Sequence, residues 1–211
     1  MNKILIAYTT QSGSTDEVAQ VLAQELGRNG AVVEVKRLEE VVDLSSYQAV
    51  VVGAPMILGW HRAAQTFLKK PKQALAQKQT AYFATAMSLT RTEEASLNGV
   101  PLWMDAVLAK PPKNPKRLSF RERYAVPANY LKPMVSAAPG VKPVSVAFLG
   151  GKLELFRLPF LQMLFVMAII QAQPGDLRNW SSVQGWGAQL RAAFGRNGGK
   201  IESNEGRLRT G

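Results

Sequence analysis

Ile4-Leu5-Ile6-Ala7-Tyr8, followed by Thr9-Thr10-Gln11-Ser12-Gly13-Ser14-Thr15 and then by Asp16 to Leu26, is the stretch that decides the fold. An apolar run of strand length gives way to hydroxyls around one glycine, and then to Val18, Ala19, Leu22 and Leu26 at helical spacing. Hydroxyls at Thr10, Ser12, Ser14 and Thr15 can donate to a phosphate, and Gly13 lets the backbone curl around it. The first turn of the helix adds free amides and a partial positive charge. A nucleoside triphosphate loop would carry Gly-Lys-Ser/Thr, and a dinucleotide fold would carry three spaced glycines; neither pattern occurs here. The stretch reads as a site for one phosphate monoester, with a polar turn and hydroxyl helix cap as the plainer alternative.

The pattern [Thr/Ser]-x-[Thr/Ser]-Gly-x-Thr at the end of a first strand resembles the flavin mononucleotide loop of flavodoxins. That resemblance implies FMN as cofactor, with Thr10, Gln11, Ser12, Gly13, Ser14 and Thr15 holding its phosphate. The rest of the chain alternates short apolar runs with helical patterns, as a parallel sheet flanked by helices requires. Lys3 to Tyr8, Val32 to Val35, Ala49 to Gly53, Ala81 to Ala86 and Val144 to Leu149 read as five strands. The unbroken Ala49-Val50-Val51-Val52 marks a strand buried on both faces. A helix passes through Ala64, Phe67 and Leu68, and the last helix carries Val183, Trp186, Leu190 and Phe194. The expected fold is α/β, a flavodoxin-like doubly wound five-stranded parallel sheet with a long insertion after strand four. It is read as one domain, 1–211, with 87–143 inserted within it.

In that topology ligands sit at the carboxyl ends of the strands, so the loops after strands one, three and four form one pocket. The second loop contributes Pro55, Met56, Gly59 and Trp60. Trp60 either stacks on the flavin ring or is a core or lid residue. The third loop contributes Ser88, Leu89, Thr90 and Arg91, the arginine placed to stabilise negative charge on a reduced ring. The sole histidine, His61, reads as a surface residue, and no general acid or base is assignable.

The chain has 211 residues, 46% of them hydrophobic, enough for a core. It has no cysteine and one histidine, which excludes disulfides, thiolate chemistry, iron–sulfur ligation and a histidine-rich metal site. The net charge of +11 is uneven: residues 1–43 carry −3, residues 44–153 carry +11 and residues 154–211 carry +3. Lys110, Lys113, Lys116, Arg117, Arg121 and Arg123 cluster around Pro111, Pro112 and Pro115 in the insertion. Such a block favours an anionic partner, whether an acidic lipid surface or a carboxylate-bearing substrate. No nucleic-acid-binding module accompanies it, which counts against nucleic acid. Val100 to Met104, Tyr124, Tyr130, Leu131 and Met134 are apolar enough that part of the insertion packs.

Leu158 to Ile170 is apolar on every side of a helix, yet too short for a bilayer, which takes roughly 20 residues. It reads as a core helix, a homodimer surface or an interfacial membrane segment. The N-terminus enters a strand with Lys3 as its one charge and no small-residue cleavage site. The expectation is therefore a cytoplasmic protein, peripheral to the inner face of the cell membrane if it is membrane-bound.

Gly53-Ala54, Gly59 and Ala63 to Lys70 resemble the menaquinone-dependent protoporphyrinogen dehydrogenase branch of the flavodoxin superfamily. So does the ending, with Phe148-Leu149-Gly150-Gly151-Lys152-Leu153, an apolar stretch, Gly175-Asp176 and Trp180 before the last helix. This resemblance implies an FMN enzyme that takes electrons from a porphyrinogen and passes them to a membrane quinone. The basic insertion would engage the substrate's propionates. The chain departs from the branch in having Leu58 and Trp60 where tyrosine and histidine flank the second-loop glycine. An electron carrier or other quinone reductase, and a non-redox scaffold with a basic insertion, are the alternatives; typical carriers are acidic, which counts against the first of these.

Overall fold

Every second residue along the central strands faces the same helical layer, and the alternation sorts two cores. The computed structural model of the chain describes residues 3–11, 13–57, 59–153 and 175–205. Strands β1 (Lys3–Tyr8), β3 (Ala49–Pro55) and β4 (Gln79–Ala86) are buried almost end to end. Leu5, Val50, Val52, Tyr82 and Phe148 point to one side, and Ile6, Val51, Phe83 and Leu149 to the other. This is the two-sided burial expected of a parallel sheet covered on both faces.

The sheet order is β2-β1-β3-β4-β9-β7-β6, with β2 at Val32–Arg37, β6 at Ser96–Leu97, β7 at Val100–Met104 and β9 at Ser145–Gly150. The first five strands are the doubly wound flavodoxin-like set, parallel throughout. The sheet does not stop at five strands, however. β7 adds to it in parallel beyond β9, pairing Met104 with Phe148, and β6 returns antiparallel to β7. The apolar Val100 to Met104 run therefore packs as strand, and the five-strand expectation is corrected to seven.

Helix α1 (Ser14–Gly27) lays Val18, Ala19, Leu22 and Leu26 on one face of the sheet, beside α6 (Trp180–Glu205) with Val183, Trp186, Leu190 and Phe194. Burial of each such aliphatic side chain stabilises by about 1.5–3 kcal/mol. The two helices meet closely at Gly187, where a Cβ would fall 2.7 Å from Glu25 Cγ, and Arg191 pairs with the buried Glu25 at 2.5 Å. Trp186 donates to Ser145 Oγ at 3.0 Å and meets Phe83 edge-on at 6.0 Å. Gly53 makes room for that ring, because a Cβ there would lie 2.0 Å from Phe83 Cζ.

The other face is covered by α2 (Arg62–Lys69), α3 (Lys72–Ala76) and α5 (Pro127–Ala137), the last burying Tyr130, Leu131 and Met134. Residues 127–137 thus supply cover for the sheet between β4 and β9. Ahead of them come β5 (Leu89–Thr90), β8 (Ala109–Lys110) and α4 (Phe120–Tyr124). β10 (Lys152–Leu153) pairs with β11 (Gly175–Asp176) before α6. Leu158 to Ile170, expected as an apolar helix, lies outside the described residues.

Candidate functional site

The carboxyl ends of β1, β3, β4 and β9 converge on an open cleft. Its walls are Gln11, Ser14 and Thr15; Pro55, Met56 and Ile57; Thr85, Ala86 and Met87; and Gly151, Lys152 and Leu153. The cleft sits where strand order reverses between β1 and β3, the position at which open α/β sheets bind ligands.

The first wall is shaped by its own short-range bonds. Thr10 Oγ1 accepts from the Gly13 amide at 2.9 Å, tightening the turn. Gly13 then adopts φ +90°, a conformation that a residue with a Cβ resists, and nothing lies within 4 Å of where its Cβ would be. Its carbonyl accepts from Asp16 and Glu17 at 3.1 and 3.3 Å, starting α1. The amides of Ser14 and Thr15 precede that ladder and belong to the positive end of the helix. Thr15 is fully buried, with Oγ1 2.9 Å from Thr85 Oγ1, so a hydroxyl pair joins the first wall to the third. Tyr8, at the end of β1, has its hydroxyl pushed above the ordinary range by burial and by hydrogen-bonded Asp16, with Arg37 opposing. Ser12 lies outside the described residues.

In the second loop Pro55, Met56 and Ile57 reach the cleft, and Met56 and Trp60 bridge a narrow turn across Gly59 at φ +96°. Trp60 is not brought to the cleft. It is 1% exposed, with its indole 5.9 Å from the Tyr82 ring and Nε1 donating to the Phe83 carbonyl at 3.3 Å. Of the two roles open to it in the sequence, the core position is the one it occupies. His61 caps α2 by accepting from the Ala63 amide, and burial lowers its pKa.

The third loop departs further from expectation. Ser88, Leu89, Thr90 and Arg91 are not among the residues that line the cleft, and Leu89 and Thr90 form β5 against β8. Thr90 Oγ1 donates to the Glu122 carbonyl at 2.9 Å, Ser88 O accepts from Tyr130 Oη at 2.9 Å, and exposed Arg91 bonds through its amide to Lys110 O at 2.7 Å. Burial pushes the Tyr130 hydroxyl up to about 12. The residues that do line this side are Thr85, Ala86 and Met87, one turn of chain earlier. A hydroxyl at the carboxyl end of β4, just after Phe83-Ala84, was the sequence signal for Thr85.

Gly151, Lys152 and Leu153 form a fourth wall that sequence reasoning did not assign to the site. The signal was a glycine pair at the end of a buried strand. Gly150 is pressed against the Leu177 carbonyl, where a Cβ would fall 1.8 Å from the oxygen. Gly151 donates to Ala86 O at 2.8 Å and accepts from Leu177 N at 2.9 Å.

This arrangement, a hydroxyl loop at a helix start facing the ends of parallel strands, defines a flavodoxin-type protein. The family model for the flavodoxin domain matches residues 5–177, and the chain belongs to that family. The family's cofactor is flavin mononucleotide, and the cradle at Gly13 with the Thr15–Thr85 hydroxyls suits its phosphate end. Among individual relatives, the chain is similar to protoporphyrinogen IX dehydrogenase [quinone] of Escherichia coli (strain K12). The two are 34% identical over 96 residues, which cover 44% of this chain and 52% of that protein. The chain thus spans about half the length of that curated relative. A flavodoxin of Nostoc sp. is 36% identical over 53 residues, covering 25% of this chain and 31% of its own. A solved flavodoxin from the domain Archaea is 12% identical at a TM-score of 0.46, covering 91% of this chain and 98% of its own.

Proposed function

We propose that the cleft holds FMN by its phosphate at Thr10 to Thr15, and that the protein is an oxidoreductase oxidising a porphyrinogen-like substrate and passing electrons to a quinone. The observation that carries the reading is the loop around Gly13 joined to Thr85 through Thr15, at the reversal point of a doubly wound sheet. Bound flavin supplies the acceptance and release of electrons. The chain's own groups do the rest. Thr10 fixes the turn, Ser14 and Thr15 offer amides and hydroxyls to the phosphate, and Pro55 to Ile57 with Thr85 to Met87 form apolar and polar edges for the ring. Lys152, on the fourth wall, adds a cation that no part of the loop itself provides.

The likeness to the quinone-linked dehydrogenase supports the substrate and acceptor classes, and the charge distribution supports where they meet. Lys110, Lys113, Lys116, Arg117, Arg121 and Arg123 are all exposed. The one carboxylate among them, Glu122, has its oxygens on Ser119 and on the Lys113 amide. Phe120, in the midst of these cations, is 62% exposed. Cations around an exposed aromatic ring suit an anionic membrane surface. Among the described residues no helix is long and apolar enough to cross a membrane, so contact through this segment would be peripheral.

The test is spectroscopic. The purified protein is saturated with FMN, freed of excess, and mixed with protoporphyrinogen and then with a menaquinone analogue on anionic liposomes. Bleaching by the porphyrinogen and recovery with the quinone are expected. Retained flavin that the porphyrinogen does not reduce would overturn the substrate class and favour an electron-carrier role. Failure to retain flavin would overturn the cofactor site.

A further inference from the structure

We infer that Asp105 is a positioning residue for the fourth wall of the cleft, holding the Gly150-Gly151 backbone in place against the cofactor. The inference rests on the cleft being the flavin site. Asp105 directly follows β7, the strand that residues 87–143 add to the sheet, and is fully buried. Its amide extends the ladder onto Phe148 O at 3.0 Å. Its carboxylate accepts from the Gly150 amide at 3.2 Å on Oδ2, and from Val107 N at 2.9 Å and Asn179 Nδ2 at 3.0 Å on Oδ1. All three partners are neutral N–H donors.

A buried carboxylate is expensive unless its oxygens are satisfied, so an arrangement that places one at a strand end needs a purpose. Here the purpose lies one residue away. Gly150 carries no side chain because Leu177 O occupies that space, and Gly151, which lines the cleft, is bonded to Ala86 and Leu177. Asn179, which also accepts from Ser182 N at the start of α6, locks the carboxylate from the far side. Asp105 thereby ties together β7, the end of β9 and the start of α6 at the peptide leading into Gly151 and Lys152. None of its bonds reaches into the cleft, so its effect passes through Gly150.

Two substitutions separate positioning from stability. Asp105→Asn keeps the shape and leaves one oxygen for Val107 and Asn179, but turns an N–H donor toward the Gly150 amide. Asn179→Ala removes the far-side lock and leaves the Gly150 bond intact. Amide hydrogen exchange by NMR and the FMN dissociation constant are measured for both, with Tm as the gauge of folding. Asp105→Asn is expected to speed exchange at Gly150 and Gly151 and to weaken FMN about tenfold, the scale of one lost charge-assisted bond. Asn179→Ala, at a comparable loss in Tm, is expected to change FMN affinity less than twofold. Unchanged exchange at Gly150 in Asp105→Asn would overturn the positioning role, as would freed amides with unchanged FMN affinity. Loss of affinity in proportion to Tm in both variants would reduce Asp105 to a folding residue and likewise overturn it. If the unsubstituted protein itself binds no FMN, the site assignment fails, a result read without either variant.

Discussion

Thr15 Oγ1 and Thr85 Oγ1 lie 2.9 Å apart, both buried, one at the start of α1 and the other near the end of β4. One hydroxyl donates to the other, which leaves a single proton of the pair to turn into the cleft. Replacing either residue with Val strands its partner, a cost of about 1–3 kcal/mol for a buried polar group. Replacing both with Val is expected to recover part of that stability while still weakening FMN. A double-mutant cycle on unfolding and on FMN affinity measures both effects; equal affinity in the double variant and the parent would detach the pair from the phosphate.

Gly13 at φ +90° can take a side chain only with strain of about 1–2 kcal/mol. Space is not the obstacle, since nothing lies within 4 Å of the added Cβ. Gly13→Ala is thus expected to lower stability by that modest amount and to weaken FMN by more than tenfold, because relieving the strain at φ +90° shifts the turn that sets the Ser14 and Thr15 amides. Isothermal titration beside thermal melts separates the two losses. An affinity loss no larger than the stability loss would mean that the cradle is empty of phosphate.

Trp60→Phe tests a different kind of residue. The substitution deletes the bond to the Phe83 carbonyl and part of the packing on Tyr82, so it is expected to destabilise by about 2 kcal/mol or more. FMN affinity should stay within twofold. A large loss of affinity with little loss of stability would mean that the indole turns outward when flavin binds.

The strands and the first loop were legible because their signals are local. The apolar runs at Ile4 and Val50 are buried on both faces and leave no other reading, and Gly13 stands where a hydroxyl loop must turn. β7 was legible only as apolar, since its place beside β9 depends on Met104 meeting Phe148 across more than forty residues. Trp60 and Ser88 to Arg91 show the limit at the site. A tryptophan beside glycine reads the same whether it turns to a ligand or to Tyr82. Thr90, which does not line the cleft, donates its hydroxyl to the Glu122 carbonyl, a partner 32 residues distant. The Gly150-Gly151 wall depends on Asp105 and Leu177, contacts that no single stretch of sequence contains.

Glu122 gives the basic segment a pH dependence of definite sign. Its carboxylate is lowered from 4.5 to about 2, first by the Ser119 hydroxyl, then by the Lys113 and Ser119 amides. A group whose folded value is depressed contributes stability that is fully present above its unfolded value and is lost as pH falls through the folded one. The bonds that hold α4 to Lys113 should therefore persist down to about pH 4.5 and fail progressively toward about pH 2. Glu122→Gln, which keeps the shape and gives up the charge, should loosen residues 110–126 at neutral pH and flatten the acid response. Limited proteolysis or amide exchange across α4, followed from pH 7 to pH 3 in both proteins, measures the difference. Protection that falls equally in the two would place the acid sensitivity elsewhere and leave α4 held by Ser119 and the Thr90 bond to the Glu122 carbonyl, which no protonation of the side chain removes.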